Sequence, residues 1–418
     1  MTIRDRERGV VILLVALVML FIVAALAALA IDLVTFYTAR SEAQLAADSI
    51  ALAGARVLAN SSMTSDPTDN NLRKRSEDLA SNIALQEALQ NQVGGRFLNP
   101  GAGEVVVSFD NSQSDAGNPR VVVQVSRADL PTFFARIWGR TQIAVGASAI
   151  AEAYNPSFQG IASGAAPIAP SCVKPWLLPN LDPYGGNIFD SGTGAILDTK
   201  MVGKTPSGSN CKNGLCVACP SGNCQAGITV ANPWQYYPGS QTDFPAPAPS
   251  ETPPLCNSAG FSAYQLSIAG CVQHPIVCGQ NSNLTLDPTV TGSDTDTAAA
   301  VTCLTHAQND QADTIVTLPQ HPFRFVVGND DPVVNARGHD VMVSSSLVTV
   351  PVLDATTTFN TPAKVIGFVQ VFLNPDGKGA ASGAPAMIVN LAGCGTAMTG
   401  QPILGNGASP VAVRLISR

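Results

Sequence analysis

Four of the ten cysteines are spaced closely enough to bind a metal. They follow the pattern C-x4-C-x2-C-x4-C, and four thiolates at such spacing could hold a zinc ion or an iron–sulfur cluster. All ten cysteines lie at or beyond residue 172, and an even number suits a disulfide framework. Disulfides are therefore predicted instead of a metal, and no cofactor is predicted. The candidates are Cys172, Cys211, Cys216, Cys219, Cys224, Cys256, Cys271, Cys278, Cys303 and Cys394.

Carboxylates and hydroxyls offer a second metal-binding pattern. Asp110, Ser112 and Ser114 match D-x-S-x-S, which in von Willebrand type A domains opens a helix on a doubly wound sheet. Here the motif lies between two strand-like segments, so a hairpin loop is the better interpretation. Acidic pairs at 294/296 and 330/331 could bind calcium, but they lack EF-hand spacing, and solvated loop acids are the default.

No catalytic constellation is visible. The histidines at 274, 306, 321 and 339 are scattered, and neither H-E-x-x-H nor G-x-S-x-G occurs. The segment MVGKT at 201–205 resembles the end of a phosphate-binding loop, but Asp198 stands where that loop needs its first glycine. A non-enzymatic protein is predicted.

Charge excludes a nucleic-acid partner. The net charge is -7, and residues 155–418 carry ten basic against fifteen acidic side chains. Phosphate backbones require a basic face. Charged residues make up 13%, while Gly and Pro number 36 and 30, so turns and short strands should dominate much of the chain.

Residues 10–31 form an uncharged run of 22 residues. As a helix this run is about 33 Å long, enough for a hydrocarbon core of about 30 Å. A cleaved signal peptide is the rival interpretation, but the run exceeds an h-region and the helical pattern continues past any cleavage site. Three arginines precede the run, and the next basic residue is Arg40. The positive-inside rule therefore predicts a single-pass inner-membrane protein with a cytoplasmic N-terminus and most of the chain on the periplasmic or extracytoplasmic side.

The span continues as an alanine-rich helix to residue 59, without Pro or Gly between 10 and 53. Small and apolar residues fall on one stripe of this helix, and Asp48 lies on the polar side. Two interpretations stay open. The stripe could pack on the chain's own domain, or it could contact a partner protein or a second copy, as small residues do between membrane helices. The candidate partner-binding residues are Ala39, Ala43, Ala46, Asp48, Ile50, Ala53 and Val57.

The rest of the chain predicts an α+β fold in four parts. Residues 1–59 are the anchor and its helical continuation. Residues 60–154 form a membrane-proximal α+β unit, with a helix ending at Gly94 and Gly95, strands EVVVSF and RVVVQVS, a short helix LPTFFARIWG and a strand TQIAVGASAIAEA. Residues 155–313 are a Gly/Pro/Cys-rich region of loops held by disulfides. Residues 314–418 alternate apolar and polar residues, which predicts a β-rich C-terminal domain and hence a disulfide-rich, mainly β ectodomain.

The N-terminal segment resembles the TadG-like (TadE/TadG-like) family of Flp-pilus-assembly membrane proteins. The shared pattern is a Gly after a basic residue, an apolar span, Asp-Leu, an aromatic, a basic residue, then Gln, Ala, Asp and Ala-Leu-Ala. The segment VVVQVSRADLPTFFARIWGRTQIAVGASAIAEA is also similar to the next part of the sequence in that family, so the resemblance covers roughly residues 6–154. The matching positions are Gly9, Asp32, Leu33, Tyr37, Arg40, Gln44, Ala47, Asp48 and residues 51–53.

The resemblance implies an inner-membrane component of a Tad pilus assembly machine that contacts other pilus-assembly proteins. A processed prepilin needs Glu at the fifth place after its Gly, whereas that place is Leu14 here, so the chain is expected to stay anchored outside the fibre. An alternative is a membrane-tethered envelope adhesin that binds surface ligands through residues 156–418. A tethered hydrolase is the third hypothesis.

Overall fold

The computed structural model describes most of the chain. It covers residues 3–110, 117–158, 166–205, 215–218, 234–235, 259–271, 275–278, 281–282, 294–317, 322–331, 334–341, 343–354, 363–381, 383–395, 403–405 and 409–416.

One uninterrupted helix opens the chain. Helix α1, Ile3–Ala59, has 57 residues, which corresponds to a length of roughly 85 Å. Its N-terminal half exposes most of the predicted apolar run, and Ala28 is the one buried residue between positions 10 and 31. By length and composition this helix can cross a membrane. From Ala39 onward one of its faces is buried in a hydrophobic core.

That core belongs to a helix–sheet unit, formed by residues 39–59 of α1, a second helix and a four-stranded antiparallel sheet in the order β18–β5–β4–β3. Valines 121, 123 and 125 alternate onto the buried face of β4. The second helix begins where the Asp69 carboxylate accepts hydrogen bonds from the N–H groups of Asn71 and Leu72. The elements are α2 Asn70–Ala88, β3 Val105–Asp110, β4 Arg120–Pro131, β5 Gln142–Tyr154 and β18 Ala412–Leu415.

The two ends of the chain meet in this sheet. Strand β18 comes from the C-terminus and pairs antiparallel with β5, Ala412 opposite Tyr154. The buried carboxylate of Glu152 on β5 accepts hydrogen bonds from Arg120 on β4 and Arg414 on β18, which ties the three strands together. A segment from the predicted C-terminal domain thus completes the sheet of the predicted membrane-proximal unit.

A second, mixed sheet forms the core of the remaining chain. Its order is β8–β16–β15–β14–β7–β9, with β10 also pairing with β15. Helices α3 and α4 contribute Ile268 and Val301 to the core around this sheet. The predicted α+β class is confirmed: a long apolar N-terminal helix precedes a mostly β region. The bounds are β7 Trp176–Pro179, β8 Leu215–Cys216, β9 Trp234–Gln235, α3 Ala263–Ala269, β10 Asn281–Ser282, α4 Asp294–Leu304, β14 Leu347–Leu353, β15 Ala363–Leu373 and β16 Ala384–Gly393.

Smaller sheets complete the described structure. Strands β11, β12 and β13 form one antiparallel sheet, β6 pairs parallel with β17, and β1 with β2 makes a short hairpin. These elements are β1 Gln92–Val93, β2 Arg96–Phe97, β6 Ile168–Pro170, β11 Thr314–Thr317, β12 Phe323–Val326, β13 Asp340–Val341 and β17 Ile403–Gly405.

Within residues 60–154, two local predictions differ from the structure. Helix α2 ends at Ala88, and Gly94 and Gly95 instead form the β1–β2 turn with φ of +59° and +77°, a conformation that glycine adopts without steric cost. In LPTFFARIWG, β4 runs to Pro131 and only Ala135–Trp138 is helical, as a single 3₁₀ turn.

Two disulfides tie the β region together. Cys172 pairs with Cys271 and Cys278 with Cys394, across separations of 99 and 116 residues. Cys216 and Cys303 are disulfide-bonded as well. Loops of this length stabilise a folded chain by about 2 to 5 kcal/mol per disulfide, chiefly through the unfolded state.

Candidate functional site

The end of the apolar run on α1 is tied to a loop of the helix–sheet unit. Residues 131–140, here called the Phe133 loop, connect β4 to β5. The buried Asp32 carboxylate accepts hydrogen bonds from the N–H groups of Phe133, Phe134 and Ala135 at 2.9, 3.1 and 2.7 Å. Asp32 is the first charged residue after the uncharged run. The first charged position beyond the span therefore holds this loop against the helix.

The Phe133 loop is closed at its base. The Thr132 hydroxyl donates to the Arg140 carbonyl, and the Thr132 N–H donates to the Thr141 carbonyl at 3.3 Å. Gly139, with φ of +80°, ends the 3₁₀ turn and donates its N–H to the Arg136 carbonyl at 3.0 Å. The loop therefore has a defined backbone, and Phe133 remains 62% exposed on it.

The predicted small-residue stripe contacts the chain's own sheet and helix. Ala39, Ala43, Ala46, Ile50 and Val57 are all at most 3% exposed within the core of the helix–sheet unit, and Ala53 is half-buried. These contacts are intramolecular, which is the first of the two interpretations that the sequence leaves open. Contact with a partner through the same residues stays a prediction.

Close packing explains why this stripe needs small side chains. A Cβ added to Gly54 would lie 3.1 Å from Cγ1 of Val121 on β4, so even alanine would require the Val121 side chain to shift by a few tenths of an ångström. Asp48 is half-buried and accepts a hydrogen bond from Nε2 of Gln44 at 2.8 Å, while the same amide also donates to the Ser148 carbonyl of β5. Asp48 thus belongs to a local hydrogen-bond network.

Several exposed apolar side chains lie on the opposite, largely polar face of α1 beyond the span. Leu33, Val34, Tyr37 and Leu45 are 50%, 64%, 60% and 67% exposed. The first three lie within two helical turns of residue 31, and Leu45 lies about 20 Å farther along the axis than residue 31. These four apolar side chains therefore stay largely uncovered by the described residues.

A buried polar junction joins the end of α1 to the central sheet. Asn390 of β16 donates to the Ala59 carbonyl and to Gln370 Oε1, the latter at 2.8 Å, and Gln370 of β15 donates to Asn60 Oδ1 at 3.0 Å. Ser65 accepts from the Leu391 N–H at 2.8 Å. Because a buried amide without partners is costly, this junction fixes α1 relative to the β region.

A cavity of about 660 Å³ lies between α2 and the β12–β13 pair. Its wall includes Leu79, Ile83 and Leu89 on one side and the ion pair of Arg324 with Asp340 on the other. Neither histidine nor cysteine is among its described lining residues. The described lining thus mixes apolar side chains with polar and charged ones.

Lys174 is a buried charge that no sequence motif marks. Its Nζ donates hydrogen bonds to the carbonyls of Ile268 and Gly270 at 2.7 and 2.6 Å, next to the Cys172–Cys271 disulfide. Burial lowers the pKa of Lys174 to about 7. The amine closes the C-terminal end of α3 over β7 and touches neither the Phe133 loop nor the cavity.

Several residues of the predicted chemical motifs lie outside the described part of the chain. They are Cys211, Cys219, Cys224, Cys256, Ser112, Ser114, His274 and His321. Within the described ranges, no group of three or more His, Cys, Asp or Glu side chains could hold a metal ion.

The chain was compared with protein families, with curated proteins and with solved structures. No family model, no curated protein and no solved structure matches the chain.

Proposed function

We propose that this chain is a non-enzymatic, single-span component of a Flp/Tad-type pilus assembly machine in the inner membrane. Its N-terminus lies in the cytoplasm, and its helix–sheet unit and disulfide-linked β region lie in the envelope. The observation that carries the proposal is that α1 continues without a break from an exposed apolar run into the core of the helix–sheet unit. A helix built in this way couples a membrane anchor rigidly to an envelope domain.

The polar junction and the disulfides support the same assignment. The junction transmits any displacement of α1 to the central sheet, because Asn390 and Gln370 bind both to each other and to the end of the helix. Disulfides persist in oxidising compartments outside the cytoplasm. The resemblance of residues 6–154 to TadG-like proteins specifies the machine.

The two faces of α1 have different roles in this proposal. The stripe of small residues packs on the sheet and holds the helix in place, and the exposed side chains farther from the membrane, Tyr37 and Leu45, are the surface that another pilus-assembly protein or a second copy would reach.

The test is to delete the gene for this chain in its host and count surface pili by electron microscopy. We expect pili to be lost and to return with the full-length chain, while the cellular amount of pilin subunit, measured by immunoblot, is unchanged. The full-length chain is required because a chain ending at residue 154 lacks β18 and the Arg414 contact to Glu152. Normal pilus numbers in the deletion strain would overturn the proposal and favour the adhesin.

A further inference from the structure

We propose that the Phe133 loop is a lipid-contact surface that binds the phospholipid headgroup layer beside α1. Phe133 inserts toward the acyl chains, and Arg136 and Arg140 bind lipid phosphates. The inference rests on the proposed membrane anchorage of α1, and it assigns to the envelope domain a second, independent attachment to the bilayer.

The position of the Phe133 loop along the helix axis brings it to the membrane surface. The Asp32 carboxylate holds the N–H groups of Phe133, Phe134 and Ala135, and Asp32 follows the last residue of the uncharged run, residue 31. At about 1.5 Å per residue, the loop lies level with the end of the hydrocarbon core. Three hydrogen bonds and the closed base of the loop keep it there.

The loop and the adjoining turns of α1 expose apolar side chains at this level. Phe133 is 62% exposed, and Leu33 and Val34 are 50% and 64% exposed. Segments that lie in the membrane interface bury Trp, Phe and Leu side chains at the boundary between headgroups and acyl chains and carry Lys or Arg beside them. A phenylalanine held in water at this point would be unfavourable, whereas in the lipid interface it is stabilising.

The loop also carries charge that complements lipid phosphates. Arg136 and Arg140 are exposed, and neither joins an ion pair within the described part of the chain. By contrast, the nearby Arg127 donates to Asp129 at 2.6 Å. The loop therefore presents two guanidinium groups without an acidic partner among the described residues, and such groups bind phosphates well.

Site-specific photocrosslinking in the full-length chain tests the contact. Phe133 is replaced by benzoylphenylalanine in cells, the membranes are irradiated, and adducts are identified by mass spectrometry. Phe97, which is 52% exposed, is the matched control, since the adjacent β1–β2 turn binds Glu42 of α1 through the Gly94 N–H, about 15 Å farther from the membrane than Asp32. We expect phospholipid adducts at position 133 and few at position 97.

The outcomes separate this inference from the proposed function. A protein adduct at position 133, or no adduct, in a chain that resists alkaline extraction from membranes would overturn the lipid contact and leave the anchor intact. A chain that alkali extracts would overturn both. Resistance to protease before irradiation verifies that each variant is folded.

The arginines are tested with lipids of defined composition. The full-length chain is reconstituted in nanodiscs of phosphatidylcholine with about one third phosphatidylglycerol, an anionic lipid. The phosphatidylglycerol that stays bound to the protein is then measured by native mass spectrometry. Each arginine near an anionic surface should contribute about fivefold to this retention, so we expect losses for R136Q and R140Q. R56Q alters an exposed arginine at the far end of α1 and should retain the lipid. Equal retention in all three variants would overturn the role of the two arginines.

Discussion

Two buried ionisable residues, Asp32 and Lys174, have different effects on the fold. Asp32 is buried with three backbone N–H donors that satisfy its carboxylate. Lys174 is buried with two carbonyl acceptors and, among the described residues, no acidic hydrogen-bond partner, so its charged form is poorly stabilised. The first contact therefore fixes a loop, whereas the second makes stability depend on pH.

Lys174 predicts that the free energy of unfolding rises with pH above about 7. The folded-state pKa is about 7, against an ordinary value of 10.5. Between these two values the unfolded chain binds more protons, so stability increases by up to about 1.4 kcal/mol per pH unit. Below pH 7 both states are protonated and this contribution to the slope disappears. Urea unfolding in detergent at pH 6 to 9 measures the slope.

The variant K174M should remove the contribution of Lys174 to the pH dependence of the unfolding free energy, because methionine fills the same space without a titrating amine. K378M, which alters an exposed lysine, should keep the wild-type slope. The interpretation fails if K174M and the wild-type chain have the same dependence on pH.

Asp32 predicts selective loss of amide protection in the Phe133 loop. The variant D32A leaves three N–H groups without their acceptor, and removal of such a cap costs about 1 to 2 kcal/mol. Hydrogen exchange of residues 133–135 should therefore accelerate about tenfold. D48A loses only the Gln44 contact and should leave those amides protected. Unchanged exchange in D32A would contradict the assigned hydrogen bonds.

At the scale of elements, one face of α1 is buried in the helix–sheet unit and the other is exposed. Leu45 is 67% exposed, whereas the adjacent Ala46 is 1% exposed. The periodicity of the helix predicts the stripe, but periodicity cannot say which protein covers it. The same limit applies to Gly94 and Gly95: they mark a change of direction, and only the pairing of Gln92 with Phe97 shows a hairpin turn instead of a helix end.

A pair of substitutions on adjacent residues separates the two faces. L45E should fold normally and reduce co-purification of the chain with other pilus-assembly proteins. A46E places a carboxylate in the core and should destabilise the helix–sheet unit by several kcal/mol, as measured by thermal unfolding. S41E adds the same charge at an exposed polar position and should change neither property. Full co-purification of L45E would argue against partner contact through this face.

At the scale of the whole molecule, the polar junction joins the two halves. Asn390 binds Gln370 and the end of α1, and Asn155 donates from the end of β5 to the Thr64 and Leu391 carbonyls at 3.0 and 2.9 Å. The helix–sheet unit and the central sheet should therefore unfold together.

The variant N390A tests this coupling. It removes the buried amide that donates to the Ala59 carbonyl and to Gln370 Oε1, at a cost of about 3 kcal/mol, and the single unfolding transition in urea should split into two. N309A removes an exposed amide that contacts Asp330 and should change stability by less than about 0.5 kcal/mol. A single, unshifted transition in N390A would show that the junction does not couple the units.

Features that depend on local pattern could be predicted from the amino-acid sequence alone. The uncharged run, the unbroken helix and the strands of the α+β class follow from composition and from correlations over two to four residues. Which atoms cover each surface is a matter of tertiary packing. Asp32 meets a loop about 100 residues away, Glu152 meets Arg414 across 262 residues, and Lys174 is buried by α3. Contacts over such separations depend on how the whole chain packs, and local periodicity in the sequence does not predict them.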